Sequence, residues 1–278
     1  MLERFAIFRE LFRFLKNPPR WMFRVEKRFR FVISTLALTF FMLFSTFFFF
    51  DKAWIFIPLF VLLVYAFGFF SILEGLEEIE WIMLFLMPLI FTIAFYLFYY
   101  LFPVRWLTRL PFIALFAVSI YALLLTSNIF NVGVEKSLQL YRAAFSVNYF
   151  YQTVIAFLIF NILFSLRANF LLNSLGVGIV VFPLILQLLW SVKLNLFIER
   201  NLVFYAIFLS AILAQLALIV SFVPLRTSIT ALLLTAAYYS FAGLTVAHLD
   251  ERLFKNTVRE YVIVLAAVLI IGLLTLNW

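Results

Sequence analysis

Nine stretches of roughly twenty apolar residues follow one another along this chain with little between them, a pattern that only a membrane accommodates. They run 31–50, 53–73, 81–102, 112–130, 147–166, 175–192, 202–223, 229–247 and 261–276. A hydrocarbon core offers the backbone no water to bond, so each stretch must satisfy its own peptide groups as a helix. The spacing therefore predicts an all-α polytopic transmembrane bundle of about nine spans. Composition agrees: 67% of residues are hydrophobic, 12% are charged and the mean hydropathy is +1.15, outside the soluble range. The 40 Phe residues read as lipid-facing and interhelical filling rather than as a motif. The longest connection, 131–146, has 16 residues and leaves no room for a soluble domain. The tightest, Asp51-Lys52, predicts an antiparallel hairpin of the first two helices.

Orientation follows from the distribution of Lys and Arg across alternate connections. With the N-terminus cytoplasmic, that side collects 16 of the 21 basic residues, nine of them before the first span. Lys52, Arg105, Arg109, Arg167 and Arg226 fall on the other side. The expectation is a multi-pass protein of the inner (cytoplasmic) membrane with N-terminus in and C-terminus out. The charged residues ahead of the first apolar stretch, and the lack of a small-residue cleavage site after Phe50, argue for a retained first span.

Several chemistries are excluded by what the chain lacks. With no Cys there are no disulfides, thiolate nucleophiles or Cys-ligated metals, and a single His, His248, rules out multi-His metal centres. The seven glycines form neither a P-loop nor a dinucleotide fingerprint. A net charge of +8 would suggest nucleic acid in a soluble domain, but here no domain exists to present it, so nucleic acid is not an expected partner.

Residues 1–30 read as a basic interfacial arm ahead of a bundle spanning 31–278. Leu2, Phe5, Phe8, Leu11, Phe12 and Leu15 share one helical face, with Arg9, Arg13 and Lys16 opposite, the pattern of an amphipathic surface helix. Pro18-Pro19 ends it, and Arg24, Lys27 and Arg28 then run at helical spacing into the first span. These six cations are the expected lipid-binding residues, each contributing about 1 kcal/mol toward anionic head groups. The same charges also serve as a topology signal.

No Asp, Glu, Lys or Arg occupies the middle of a predicted span, which disfavours an ion-coupled pump. Asn161, Gln187 and Gln215 are the interior amides, expected to bridge helices. In the sixth stretch Gly176, Gly178, Pro183 and Gln187 cluster as if to kink or unwind a helix, where a transporter would bind substrate. Gln187 and Asn161 are the substrate-binding candidates of that reading. Ala206, Ser210, Ala214, Ala217 and Ser221 form a small-residue seam on the seventh, a surface that lets helix backbones approach.

Two acidic clusters share the predicted cytoplasmic side. Glu74, Glu77 and Glu78 fall at i, i+3 and i+4, and His248 and Glu251 fall at helical spacing beside Asp250. If the clusters meet, Glu74, Glu77, Glu78, His248 and Glu251 would suit a hard divalent cation such as Mg²⁺ or Mn²⁺. Glu77, Glu78, His248 and Glu251 would then be the catalytic candidates of an enzyme or carrier for lipid-linked substrates. If they do not meet, the acids are solvated or paired with the basic arm, His248 caps a helix, and no cofactor is expected.

Signature motifs of head-group transferases, rhomboid proteases and intramembrane aspartyl proteases are missing. Glu77-Glu78 would match the acidic pair of polyprenyl-phosphate-sugar glycosyltransferases only in the inverted orientation. From His248 through Arg259-Glu260-Tyr261 to Asn277-Trp278 the layout resembles uncharacterised polytopic membrane proteins of candidate-phylum bacteria, a resemblance that implies no activity. The leading expectation is a non-catalytic structural or interaction component that engages membrane lipids or a membrane protein partner. The lipid-linked enzyme or carrier and a small-molecule transporter are the alternatives.

Overall fold

The computed structural model describes residues 25–48, 53–73, 81–101, 106–132, 138–194 and 197–275. Among them every regular element is helical: α1 Lys27–Phe48, α2 Ala53–Ile72, α3 Trp81–Tyr99, α4 Trp106–Val132, α5 Leu138–Ser165, α6 Phe170–Lys193, α7 Arg200–Val220, α8 Thr227–Leu249 and α9 Lys255–Leu274. All nine are long and apolar enough to cross a bilayer. The chain is an all-α protein built as an integral membrane protein.

Most helices match the apolar stretches within a few residues, but α5 begins at Leu138 rather than near 147. Hydropathy marks what lies in hydrocarbon, whereas helix continues until something breaks it. Residues 138–146 contain neither Gly nor Pro, so nothing does. With α4 running on to Val132, most of the 131–146 connection is therefore helical. The extension is anchored, because the Tyr141 hydroxyl donates to the carbonyls of Ser191 and Val192 at 2.6 and 2.9 Å near the end of α6.

Pro58, Pro88, Pro111 and Pro183 all lie inside helices without ending them. In lipid, neighbouring hydroxyls occupy backbone groups that proline leaves unpaired: Pro88 has no N–H for the Leu84 carbonyl, and the Ser127 hydroxyl of α4 donates to that carbonyl at 2.9 Å. The expected unwinding of the sixth span is not found. α6 is continuous through Gly176, Gly178 and Pro183, and its glycines face packing contacts instead.

A Cβ placed on Gly178 would stand 3.3 Å from the Ala214 Cβ, and one on Gly176 would stand 3.1 Å from Leu163. The Ser174 hydroxyl donates to the Ala214 carbonyl at 2.7 Å, while Ala206, Ser210 and Ala217 are buried along the same seam. The small residues of α7 thus meet the small residues of α6, and this is the most extensive helix pair in the molecule.

Two layers of helices meet at α5. On one side α1 to α4 pack among themselves, with α3 and α4 both touching α5; on the other, α5 packs on α6 and α8. The larger of two apolar clusters runs through both, from Leu38 and Met42 on α1 to Ala237 and Ala242 on α8. Phenylalanines knit α3 to α4: the Phe95 and Phe112 rings lie 3.9 Å apart between centroids, and Phe91 stacks on Phe116 at 6.0 Å. Other Phe residues, such as Phe40, Phe204 and Phe208, point outward. α9 is peripheral. Gly272 is its one buried residue among those described, and it docks on α8 where Gly243 leaves space for the Tyr261 ring.

Candidate functional site

Four uncharged polar side chains meet deep inside the bundle. Asn148 and Gln152 stand one turn apart on α5, Gln187 projects from α6 and Tyr238 lies at the middle of α8. The Tyr238 hydroxyl donates to Gln152 Oε1 at 2.6 Å, and Gln152 Nε2 donates to Gln187 Oε1, also at 2.6 Å. Asn148 Nδ2 donates to the same Gln187 oxygen at 3.1 Å. None of the four exceeds 1% exposure. Their bonds tie three helices in one chain, Tyr238 to Gln152 to Gln187 to Asn148, with no charge in it.

This arrangement favours positioning over chemistry. An amide in hydrocarbon that loses its partner carries a large desolvation penalty, so the network admits few alternative helix registers. It offers no general acid or base near neutral pH and no anionic ligand for a hard cation. A second tie joins α5 to α8 through tyrosines. The Tyr149 hydroxyl bonds the Tyr239 carbonyl, and their rings stack at 5.1 Å. The Ser240 hydroxyl then reaches the Tyr261 carbonyl of α9 at 3.1 Å.

Of the amides expected from sequence, Gln187 is the hub of the network. Asn161 is also interior, at 8% exposure, and its Nδ2 reaches Ser228 Oγ at 3.4 Å near the start of α8. Gln215 is different: it is exposed on the outer face of α7, because the seam of that helix turns Ala214 and Ala217 inward. Asn148, Gln152 and Tyr238 were missed. Their signal was the i, i+4 pair of amides on α5, obscured because Asn148 stands at the edge of the fifth apolar stretch.

The acidic clusters are placed only in part. Glu74, Glu77 and Glu78 lie outside the described residues, as do Arg9, Arg13, Lys16 and Arg24 of the arm. Lys27 and Arg28 open α1, Arg28 being exposed. Two residues on, Arg30 is buried at 2% exposure, where its neighbour Phe31 joins a small core with Trp190 and Leu194.

His248 and Glu251 are both exposed, and they are not carried on one continuous helical face. α8 ends at Leu249, and Glu251 adopts a left-handed φ of 57°. The Glu251 N–H donates to the His248 carbonyl at 3.1 Å and the Arg252 N–H to the Ala247 carbonyl at 2.8 Å, the paired bonds of a Schellman cap. Among the described residues no three His, Cys, Asp or Glu side chains gather closely enough to hold a metal.

No family model matches the chain, and no curated protein or solved structure is similar to it.

Proposed function

We propose that this integral membrane protein is a non-catalytic structural or interaction component of its membrane, presenting the basic arm of residues 1–30 to anionic lipid or a membrane protein partner. The single observation that carries the reading is the closed neutral network of Asn148, Gln152, Gln187 and Tyr238. A transport route or reaction centre needs polar groups that can release one partner for another. Here the amides hold each other across α5, α6 and α8, and an unbroken α6 supports the same reading. The bundle then serves as a rigid platform from which the arm is presented.

The enzyme or carrier reading would rest on Glu77, Glu78, His248 and Glu251. The cap geometry at His248 and Glu251 favours a helix-terminating part for that pair.

The test replaces Arg9, Arg13 and Lys16 with Gln and leaves Arg24, Lys27 and Arg28 to hold the topology. Association of the arm with phosphatidylglycerol–phosphatidylcholine vesicles, and cross-linking to neighbours in native membranes, are compared with wild type. Loss of either signal with unchanged insertion supports the reading. Retention of both shows that the charges of the arm engage neither lipid nor partner and removes the reading.

A further inference from the structure

At the end of the bundle opposite the start of α1, the connection between α5 and α6 and the connection between α7 and α8 flank an open cavity of about 390 Å³. Its lining includes Arg167, Arg226, Asn173, Ser221, Thr227 and Thr230. The two arginines are exposed at the mouth, while Asn173 and Thr230, at 7% and 4% exposure, form the buried floor.

Three features give the cavity a sign. No Asp or Glu lines it or occurs in 166–169 or 221–226, and among the described residues neither guanidinium forms an ion pair. α6 and α8 both begin at this end, and neither has a side-chain cap, so first-turn N–H groups lack the usual oxygen partner. The carbonyl ends of α5 and α7 oppose this partly, but two full charges outweigh two half-charges.

The third feature is Thr230. A helical threonine in an apolar bundle normally turns its hydroxyl onto the carbonyl four residues back, as Thr92, Thr126, Thr235 and Thr245 do at 2.7 to 2.9 Å. Thr230 does not. Its hydroxyl forms no hydrogen bond among the described residues, although the residue is almost wholly buried and lines the cavity. An unbonded hydroxyl on a buried residue, open only to a cavity that holds two unpaired arginines, is a donor awaiting an acceptor.

We propose that this cavity binds a phosphate group, with Arg167 and Arg226 clamping its oxygens and Thr230 donating from below. Guanidinium forks match phosphate geometry, and charge-assisted bonds of this kind are the strong ones. The rim points to a phospholipid head group as the source. Leu166, Phe170, Phe222 and Val223 are exposed around the mouth, and the Phe170 and Phe222 rings meet at 5.1 Å, giving acyl chains a surface beside the charges.

The experiment uses the full chain in phosphatidylcholine nanodiscs with and without phosphatidylglycerol, released for native mass spectrometry. A parallel titration with inorganic phosphate is followed by thermal shift. Wild type is expected to retain phosphatidylglycerol, and Arg167→Gln/Arg226→Gln to lose about tenfold in occupancy, the scale of lost charge-assisted bonds. Thr230→Val weakens retention with both arginines present. Arg200→Gln, at the opposite end, leaves it unchanged.

Displacement of lipid by inorganic phosphate identifies a soluble phosphate as a competent ligand of the same site; retention without displacement identifies the head group. Equal retention in wild type and the double variant overturns the proposal, as does wild type showing neither retained lipid nor a phosphate-induced shift. Should the double variant fail to fold, wild-type retention by Thr230→Val overturns it alone.

Discussion

Gln187 accepts two hydrogen bonds on one oxygen, so its removal acts on more than itself. Gln187→Leu leaves the Gln152 and Asn148 amides facing an alkyl group. An interhelical bond in a membrane is worth only about 0.6 to 2 kcal/mol, but a buried donor left unsatisfied costs about 1–3 kcal/mol. The second effect governs, and a loss of roughly 2 kcal/mol is expected in detergent unfolding. Gln152→Leu/Gln187→Leu should cost clearly less than the sum of the two single changes, because each removes the other's orphan. Additive losses would show that the network does not act as a unit. The left-handed Glu251 gives a prediction of opposite sign. Glycine needs no Cβ accommodation at that position, so Glu251→Gly should stabilise the fold by about 1 kcal/mol. A fall in stability would mean that the carboxylate, not the cap, is what matters there. At this scale the sequence made Asn161 and Gln187 legible, since an amide amid apolar residues stands out. It hid Tyr238, because an aromatic in a span reads equally as lipid-facing or buried until its hydroxyl finds Gln152.

Between elements, the α6–α7 pair depends on the absence of side-chain volume. Its small-residue seam could be read from spacing alone, but the partner surface could not, because Gly176 and Gly178 also read as a break. What decides is the opposing helix: with Ala214 against Gly178, close approach is possible and the helix stays whole. The chain has no Cys, which makes the contact directly testable. Disulfides need Cβ atoms about 3.5–4.5 Å apart, and the 3.3 Å from a Cβ on Gly178 to that of Ala214 falls just short of this range and enters it on slight separation of the helices. Gly178→Cys/Ala214→Cys should therefore cross-link on mild oxidation, seen as a gel shift lost on reduction. Gly178→Cys with Ile219→Cys, the latter on the exposed face of α7, should not. Cross-linking of both pairs alike would mean the helices are not packed along this seam. The start of α5 was illegible for a related reason. Hydropathy falls at Arg142, but helix propensity does not, and the Tyr141 contacts that hold the extra turns come from α6, remote in sequence.

For the whole molecule, successive spans fix which connections share a side, while the charges must decide which side is which. The arm supplies nine of the 16 basic residues on the N-terminal side; without it the comparison is close. What the basic residues do in the fold adds weight. On the N-terminal side Arg28, Arg142, Arg200, Arg252, Lys255 and Arg259 are exposed at helix ends. On the other side Arg109 lies over the Phe47 ring at 4.5 Å, and Arg167 and Arg226 line the cavity. These three have local packing or binding parts to play, so their presence is weak evidence for that side being cytoplasmic. The expected orientation is the N-terminus and the α6–α7 connection inside, with the α7–α8 connection and its cavity outside. Phe197 and Phe222, at 78% and 65% exposure, report the two sides. In the cysteine-free chain, Phe222→Cys should react with a membrane-impermeant maleimide in intact cells. Phe197→Cys should react only after permeabilisation. The reverse pattern would invert the molecule and bring the phosphate cavity to the cytoplasmic leaflet. Labelling of both in intact cells would mean that α7 does not cross, which its 21 apolar-rich residues and its seam against α6 argue against.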